Sequence, residues 1–316
     1  GTDVNGRRVI DLTTLSAAQG FIIQGDAASD LAGESVSYAG DINGDGYDDL
    51  IVGAPGGGDG GSLAGEAYVV FGTASGFGAN IDGRQVVDLT TLTAGQGFII
   101  QGDAPLDLTG YSVSSAGDVN GDGYVDIMVG AHGGDDGGSA AGEAYVVFGT
   151  ASGFGADVNG RQVIDLTTLT AAQGFIVRGD TNGDSAGWSV SSAGDVNGDG
   201  YDDLIVGARF GDDGGNRAGE AYVVFGSATG FGTTAGGRQV IDLTTLTAGQ
   251  GFIIQGDEQE DYLGWSVSSA GDINGDGFDD LIVGAYMGDD GGLSAGEAYV
   301  VFGTAGGFGS DVNGRQ

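Results

Sequence analysis

The chain repeats itself every 77 residues without an insertion or a deletion. The segment AGEAYVVFG begins at Ala64, Ala141, Ala218 and Ala295, and an acidic loop begins at Asp41, Asp118, Asp195 and Asp272. Units 9–85, 86–162, 163–239 and 240–316 fill the chain, and residues 1–8 (GTDVNGRR) form an overhang equivalent to 309–316 (GSDVNGRQ). So strict a register means one supersecondary unit used four times, each burying its apolar faces against its neighbours. The overhang allows two readings: a ring closing beside Val9, or an excerpt from a longer array.

Each unit reads as four short strands. In the first unit GESVSYAG (33–40) alternates small and polar residues and leads into the acidic loop. DLIVGA (49–54) and EAYVVFG (66–72) are continuously apolar, as strands buried on both faces are. GFIIQG (20–25) is the fourth. An insert between the third and fourth strands ends in VIDLTTLSAAQ (9–19), where Asp11 can cap one short helical turn. Helical periodicity is otherwise absent. The expectation is a single all-β domain over 1–316: a four-bladed β-propeller with four antiparallel strands per blade. The alternatives are part of a larger propeller, an eight-bladed dimer or, as a different architecture, a β-solenoid.

Composition narrows the partners. The formal charge is −36, all nine basic residues are Arg, and there is no Cys. This charge excludes nucleic acid and anionic lipid surfaces, and the missing Cys excludes disulfides, thiol catalysis and thiolate metal sites. No apolar run is long enough to span a membrane. Gly supplies 70 of 316 residues, which suits many tight turns between strands. Asp outnumbers Glu by 38 to 7, and this short carboxylate suits hard-cation loops.

The acidic loop itself points to calcium. D-x-N-x-D-G-x-x-D matches the start of an EF-hand loop, but Val52 stands where that loop needs a bidentate Glu. Side chains at positions 1, 3, 5 and 9 can converge on one point, and the carbonyl at position 7 adds an oxygen. The expected ligands are Asp41, Asn43, Asp45, Tyr47 and Asp49; Asp118, Asn120, Asp122, Tyr124 and Asp126; Asp195, Asn197, Asp199, Tyr201 and Asp203; Asp272, Asn274, Asp276, Phe278 and Asp280. Tyr and Phe contribute main-chain carbonyls only. Three carboxylates per loop favour Ca2+ over Mg2+, giving about four Ca2+ per chain. The bland alternative is an Asn/Asp/Gly hairpin turn, which needs far fewer acids. Asp48 is not counted, because Val125 takes its place in the second unit.

The motif G-x-S-V-x-x-A-G-D-x-N-G-D-G-x-x-D-(L/I)-x-V-G-A resembles the FG-GAP repeat of integrin α-subunit propellers and of large bacterial extracellular proteins. The resemblance covers about 22 contiguous positions in all four units. It implies one repeat per blade and calcium held between the first two strands of a blade. Integrin heads carry seven blades, whereas four units are visible here.

Other repeated features have plainer readings. The pairs Asp26/Asp30, Asp103/Asp107, Asp180/Asp184 and Asp257/Asp261 read as Asx turns, with a second cation site as the alternative. GGDDGG loops read as solvated turns. RGD at Arg178–Asp180 is QGD in the other units, so it is framework and not an adhesion ligand. Tyr111, Trp188 and Trp265 share the position of Glu34 and read as packing aromatics, with sugar-stacking platforms as the alternative. The arginines Arg7, Arg84, Arg161, Arg238 and Arg315 are expected to pair with local Asp residues.

Catalysis is not expected, because acid–base chemistry needs neighbouring groups in unlike environments and four near-identical units supply like groups at like positions. The only His, His132, stands at a position that varies between units. The expected function is a calcium-binding, non-catalytic module of an extracellular or cell-surface protein of bacterial type, acting in adhesion, protein binding or as a spacer. A multivalent lectin is the alternative. Recent duplication or engineering of the repeat would account for its unbroken register. The expected state is a monomeric ring or a homodimer.

Overall fold

The computed structural model describes residues 2–4 and 7–310. The match between overhang and chain end, and the side chains of Arg7 and Arg315, lie outside the described residues. The first blade consists of Val36–Gly40, Asp49–Ala54, Glu66–Val70 and Gly97–Gln101, paired antiparallel in that order. The second uses Ser112–Gly117, Asp126–Ala131, Glu143–Val147 and Gly174–Arg178, and the third Ala186–Gly194, Asp203–Ala208, Glu220–Val224 and Gly251–Gln255. The fourth has Leu263–Gly271, Asp280–Ala285 and Glu297–Val301 and is three-stranded among the described residues. The outer strand of each blade thus follows the insert, so a blade straddles two of the 77-residue units.

The insert does more than carry one helical turn. Arg161–Asp165 adds in parallel to the outer strand of the first blade, with Val163 opposite Ile99, and Arg238–Asp242 does the same for the second blade. Two sheets become six-stranded in this way. This strap covers the outer edge that a four-stranded blade leaves open. Only three residues of each strap pair, too short a run for alternation to reveal. The helical turns are 3-10 turns at Leu12–Thr14, Leu89–Thr91, Leu166–Thr168 and Leu243–Thr245. Each is capped as expected by an Asp, here Asp11, Asp88, Asp165 or Asp242.

Blades pack first strand against first strand, in sequence order from first to fourth. In the second and third blades the two central strands are buried on both faces, and Tyr68, Tyr145 and Tyr222 are fully enclosed. Apolar side chains of one blade interleave with the next. Ile51, Val69 and Ile100 meet Val113, Ile127 and Val129, and Met128 and Val146 meet Val190, Leu204 and Val206. The blades approach closely enough that a β-carbon on Gly53 would collide with the Gly110 carbonyl oxygen of the next blade. The G-x-S-V and V-G-A glycines of the motif are therefore packing residues.

Candidate metal centres and the blade junctions

Each acidic loop connects the first and second strands of a blade and closes on its own carboxylates. In the first blade Asp41 Oδ1 and Asn43 Oδ1 both accept from the Asp45 amide, at 3.0 and 2.8 Å, so their oxygens converge on one point. Asp41 Oδ2 accepts from Gly46 N, and Asp45 Oδ1 from Tyr47 N. Gly46 sits at φ +89, in the left-handed region that the turn requires. Asp118, Asn120 and Asp122; Asp195, Asn197 and Asp199; and Asp272, Asn274 and Asp276 repeat the arrangement. Hard oxygens at this spacing suit Ca2+, and the side chains keep lone pairs beyond those the amides use.

The ninth position also plays a structural part. Asp49 is fully buried, and its two oxygens accept from Ile42 N (3.2 Å) and Gly72 N (2.7 Å). Asp126, Asp203 and Asp280 make the same pair of bonds. This carboxylate bolts the loop to the end of the third strand. Burial is the main cause that raises its pKa, to about 6 in Asp49 and about 8 in Asp126 and Asp203, and the loop's own carboxylates add to it.

The aromatic at position 7 was read for its carbonyl alone, yet its ring locks the blades together. Tyr124 lies in the space over Gly44 of the preceding loop, where a β-carbon would stand 2.5 Å from the ring. Tyr201 and Phe278 fill the same space over Gly121 and Gly198. Asp202 and Asp279, equivalent to Asp48, accept from Asp118 N (2.8 Å) and Asp195 N (3.0 Å) of the preceding blade. The Asp48 position is thus a junction residue. At the first junction Val125 packs on Gly40 instead.

A second set of carboxylates gathers elsewhere. Asp26, Asp59 and Glu66; Asp103, Asp136 and Glu143; Asp180, Asp184 and Glu220; and Asp257, Asp261 and Glu297 each bring three carboxylate oxygens within 4.8 Å of one another. A single cation could bridge any of these groups. The GGDDGG aspartates are exposed, as expected, but Asp59 and Asp136 each also bring a carboxylate to these groups, and the Glu of AGEAYVVFG was overlooked. Tyr145 donates to both Asp103 and Glu143 at 2.6 Å. Burial first, then neighbouring acids, pushes Asp107 up to about 8 and Glu143 to about 7.

The arginines of the strap do not pair locally. Arg161 reaches Asp26 at 3.1 Å and Asp59 at 2.8 Å, 135 and 102 residues away, and Arg238 binds Asp103 and Asp136 in the same way. Close sequence neighbours were expected. The strap instead carries each arginine onto the acidic group of the preceding blade. Arg178 of the RGD triplet is paired with Asp242, and Tyr222 donates to Asp180 at 2.9 Å, so the triplet is framework as expected.

Tyr111, Trp188 and Trp265 form one continuous stack across three blades. Trp188 lies 4.5 Å from Tyr111 and 5.3 Å from Trp265, and Trp265 lies 4.0 Å from Tyr286. Arg209 covers the Trp188 ring at 3.3 Å, and His132 closes the other end against Tyr111 at 4.4 Å. Burial and the Arg209 charge lower the His132 pKa to about 4, so it is neutral at physiological pH.

Comparison with known proteins matches this architecture. The FG-GAP repeat model fits residues 32–70, 109–147, 186–224 and 263–301, which are the first three strands of each blade. The chain is an FG-GAP repeat β-propeller. It is similar to integrin alpha-PS2 of Drosophila melanogaster, 31% identical over 261 residues that cover 79% of this chain and 15% of the relative. Integrin alpha pat-2 of Caenorhabditis elegans is 31% identical over 207 residues, 63% of this chain and 14% of the relative. The phosphatidylinositol-glycan-specific phospholipase D of Bos taurus is 28% identical over 229 residues, 72% of this chain and 23% of that protein. The FG-GAP chain therefore spans less than a quarter of the length of these relatives. No helix among the described residues is long and apolar enough to cross a membrane.

Proposed function

We propose that this FG-GAP chain is a non-catalytic, calcium-stabilised propeller module that serves adhesion or protein binding at a cell surface or outside the cell. One observation carries the reading: the convergent oxygens of Asp41, Asn43 and Asp45 recur in all four loops. Support comes from the position of those loops at the blade junctions, where Asp118 N and Asp195 N also bond the next blade. Calcium supplies charge neutralisation and fixes the loop. Asp41, Asn43 and Asp45 and their equivalents would hold it, with the carbonyls of Tyr47, Tyr124, Tyr201 and Phe278. Asp49, Asp126, Asp203 and Asp280 brace the loop from behind.

Titration calorimetry and thermal melts of the full chain test this. About four Ca2+ are expected to bind, and each site at a calcium concentration of 100 Kd adds about 2.7 kcal/mol to folding. The double variant Asp122→Asn/Asp199→Asn should reduce the stoichiometry by about two. A melt unchanged between excess calcium and excess chelator would overturn the proposal.

A further inference from the structure

Arg209 is held by aromatic rings and has no acid beside it. The chain carries 45 carboxylates, and Arg161, Arg178 and Arg238 each meet at least one Asp. Arg209 is half-buried, yet it has no carboxylate partner among the described residues. Its guanidinium lies 3.3 Å from the centre of the Trp188 ring and 4.7 Å from that of Trp265. Its Nε is buried without a hydrogen-bond partner. Stacking on Trp188 fixes the planar fork in one orientation, and its N–H donors point in the plane of the group, away from the ring beneath.

The polar edges of the neighbouring rings are free in the same way. Tyr68, Tyr145 and Tyr222 inside the blades all donate to carboxylates. The hydroxyls of Tyr111 and Tyr262 and both indole N–H groups make no hydrogen bond among the described residues. All four rings are only partly buried, and both tyrosines lie within electrostatic reach of Arg209. A flat apolar surface beside hydroxyl and N–H groups matches a pyranose ring, with C–H groups on its faces and hydroxyls round its rim.

The cluster stands apart from the acidic loops. Trp188 precedes the loop at Asp195 by seven residues of one strand, a rise of about 20 Å. Arg209 directly follows the second strand of the same blade, Asp203–Ala208, and so lies at that same remote end. Pro55, His132 and Tyr286 hold its position in the other units, so the chain has one such site and not one per repeat.

We infer that Arg209, Trp188 and Trp265 bind a sugar acid, a pyranose ring bearing one carboxylate. The carboxylate takes the Arg209 fork as a bidentate pair. The sugar ring lies on the open aromatic surface beside it, and the Tyr111 and Tyr262 hydroxyls take its rim. One charge per ligand is the form this chain admits. At −36 it repels a polyanion, whereas at physiological salt charges beyond about 8 Å are screened and the guanidinium decides locally. The inference rests on the reading of the chain as a binding module and names its ligand; calcium enters only by holding the fold.

Trp188 and Trp265 are the only two Trp of the chain, so indole emission and the two indole N–H resonances report this site alone. Titrated into the full chain in excess calcium, methyl glucuronide should shift both signals saturably. Methyl glucoside, which lacks the carboxylate, should bind at least about tenfold more weakly. Arg209→Gln should abolish that preference and Arg209→Lys should keep only part of it, because an ammonium lacks the fork. Melts of the same samples in calcium and in chelator keep a failure here separate from a failure of the calcium-stabilised module. No saturable shift with the glucuronide, equal binding of the two sugars, or a preference that survives Arg209→Gln would each overturn the proposal. So would N-acetylaspartate methylamide binding as tightly as the glucuronide, which would make a peptide carboxylate the ligand.

Discussion

Asp203 accepts from two backbone amides, Val196 N at 3.0 Å and Gly226 N at 2.9 Å, in a site without solvent. Asp203→Asn keeps one acceptor and turns an amine towards an N–H, so a loss of about 1–3 kcal/mol is expected by chemical denaturation. The same residues set the pH response of the calcium-free protein. Asp126 and Asp203 titrate near 8 and Asp49 near 6 when folded, against 3.8 in the open. A raised carboxylate favours the folded state while protonated, so this contribution is complete below about pH 4 and is lost as pH rises through 8. In chelator the chain should therefore melt higher at pH 5 than at pH 8. A chelated melt that climbs over that interval would contradict the assignment. Glycine gives a third residue-scale expectation. A β-carbon on Gly130 would overlap the Gly187 carbonyl oxygen of the next blade, so Gly130→Ala should cost about 1–3 kcal/mol in overpacking, read in the same denaturation assay.

At the scale of the element, the strap explains why a 77-residue unit is needed for a blade of four short strands. It caps its 3-10 turn with Asp165, adds Val163–Asp165 to the outer edge of the first blade, and delivers Arg161 to Asp26 and Asp59. Arg238 is the more buried of the two strap arginines, 15% exposed beside an Asp103 carboxylate that is 7% exposed. Arg238→Met leaves Asp103, Asp136 and Glu143 without their cation, and a loss of about 2–4 kcal/mol is expected, smaller in excess calcium if a metal replaces the guanidinium. Denaturant titrations with and without calcium check it. Asp11 as a cap was legible from its place before LTT, because an N-cap is a local rule. The strap strand was not legible, because three paired residues leave no period to read and their partner lies 64 residues away.

At the scale of the whole molecule, stability is a sum over blades and junctions, so identical substitutions should differ by position. Ile205 is fully buried between the third and fourth blades, and Ile282 at the same repeat position is 37% exposed. Ile205→Glu should destabilise the chain by several kcal/mol and Ile282→Glu by less than about 1 kcal/mol. Equal losses in denaturation would contradict this dependence on position.

The repeat register, the all-β blades, the FG-GAP motif and the acidic loops were all readable in the sequence. Each rests on residues close together in the chain, where spacing and local conformational rules carry the information. The pairing of Arg161 with Asp26, the gathering of Asp103, Asp136 and Glu143, the bolt at Asp49 and the stack from Tyr111 to Tyr286 were decided by tertiary structure. Four equivalent units offer every long-range contact several identical partners, and spacing alone cannot choose among them. Only the geometry of blade on blade makes that choice, by bringing each strap over the blade before it.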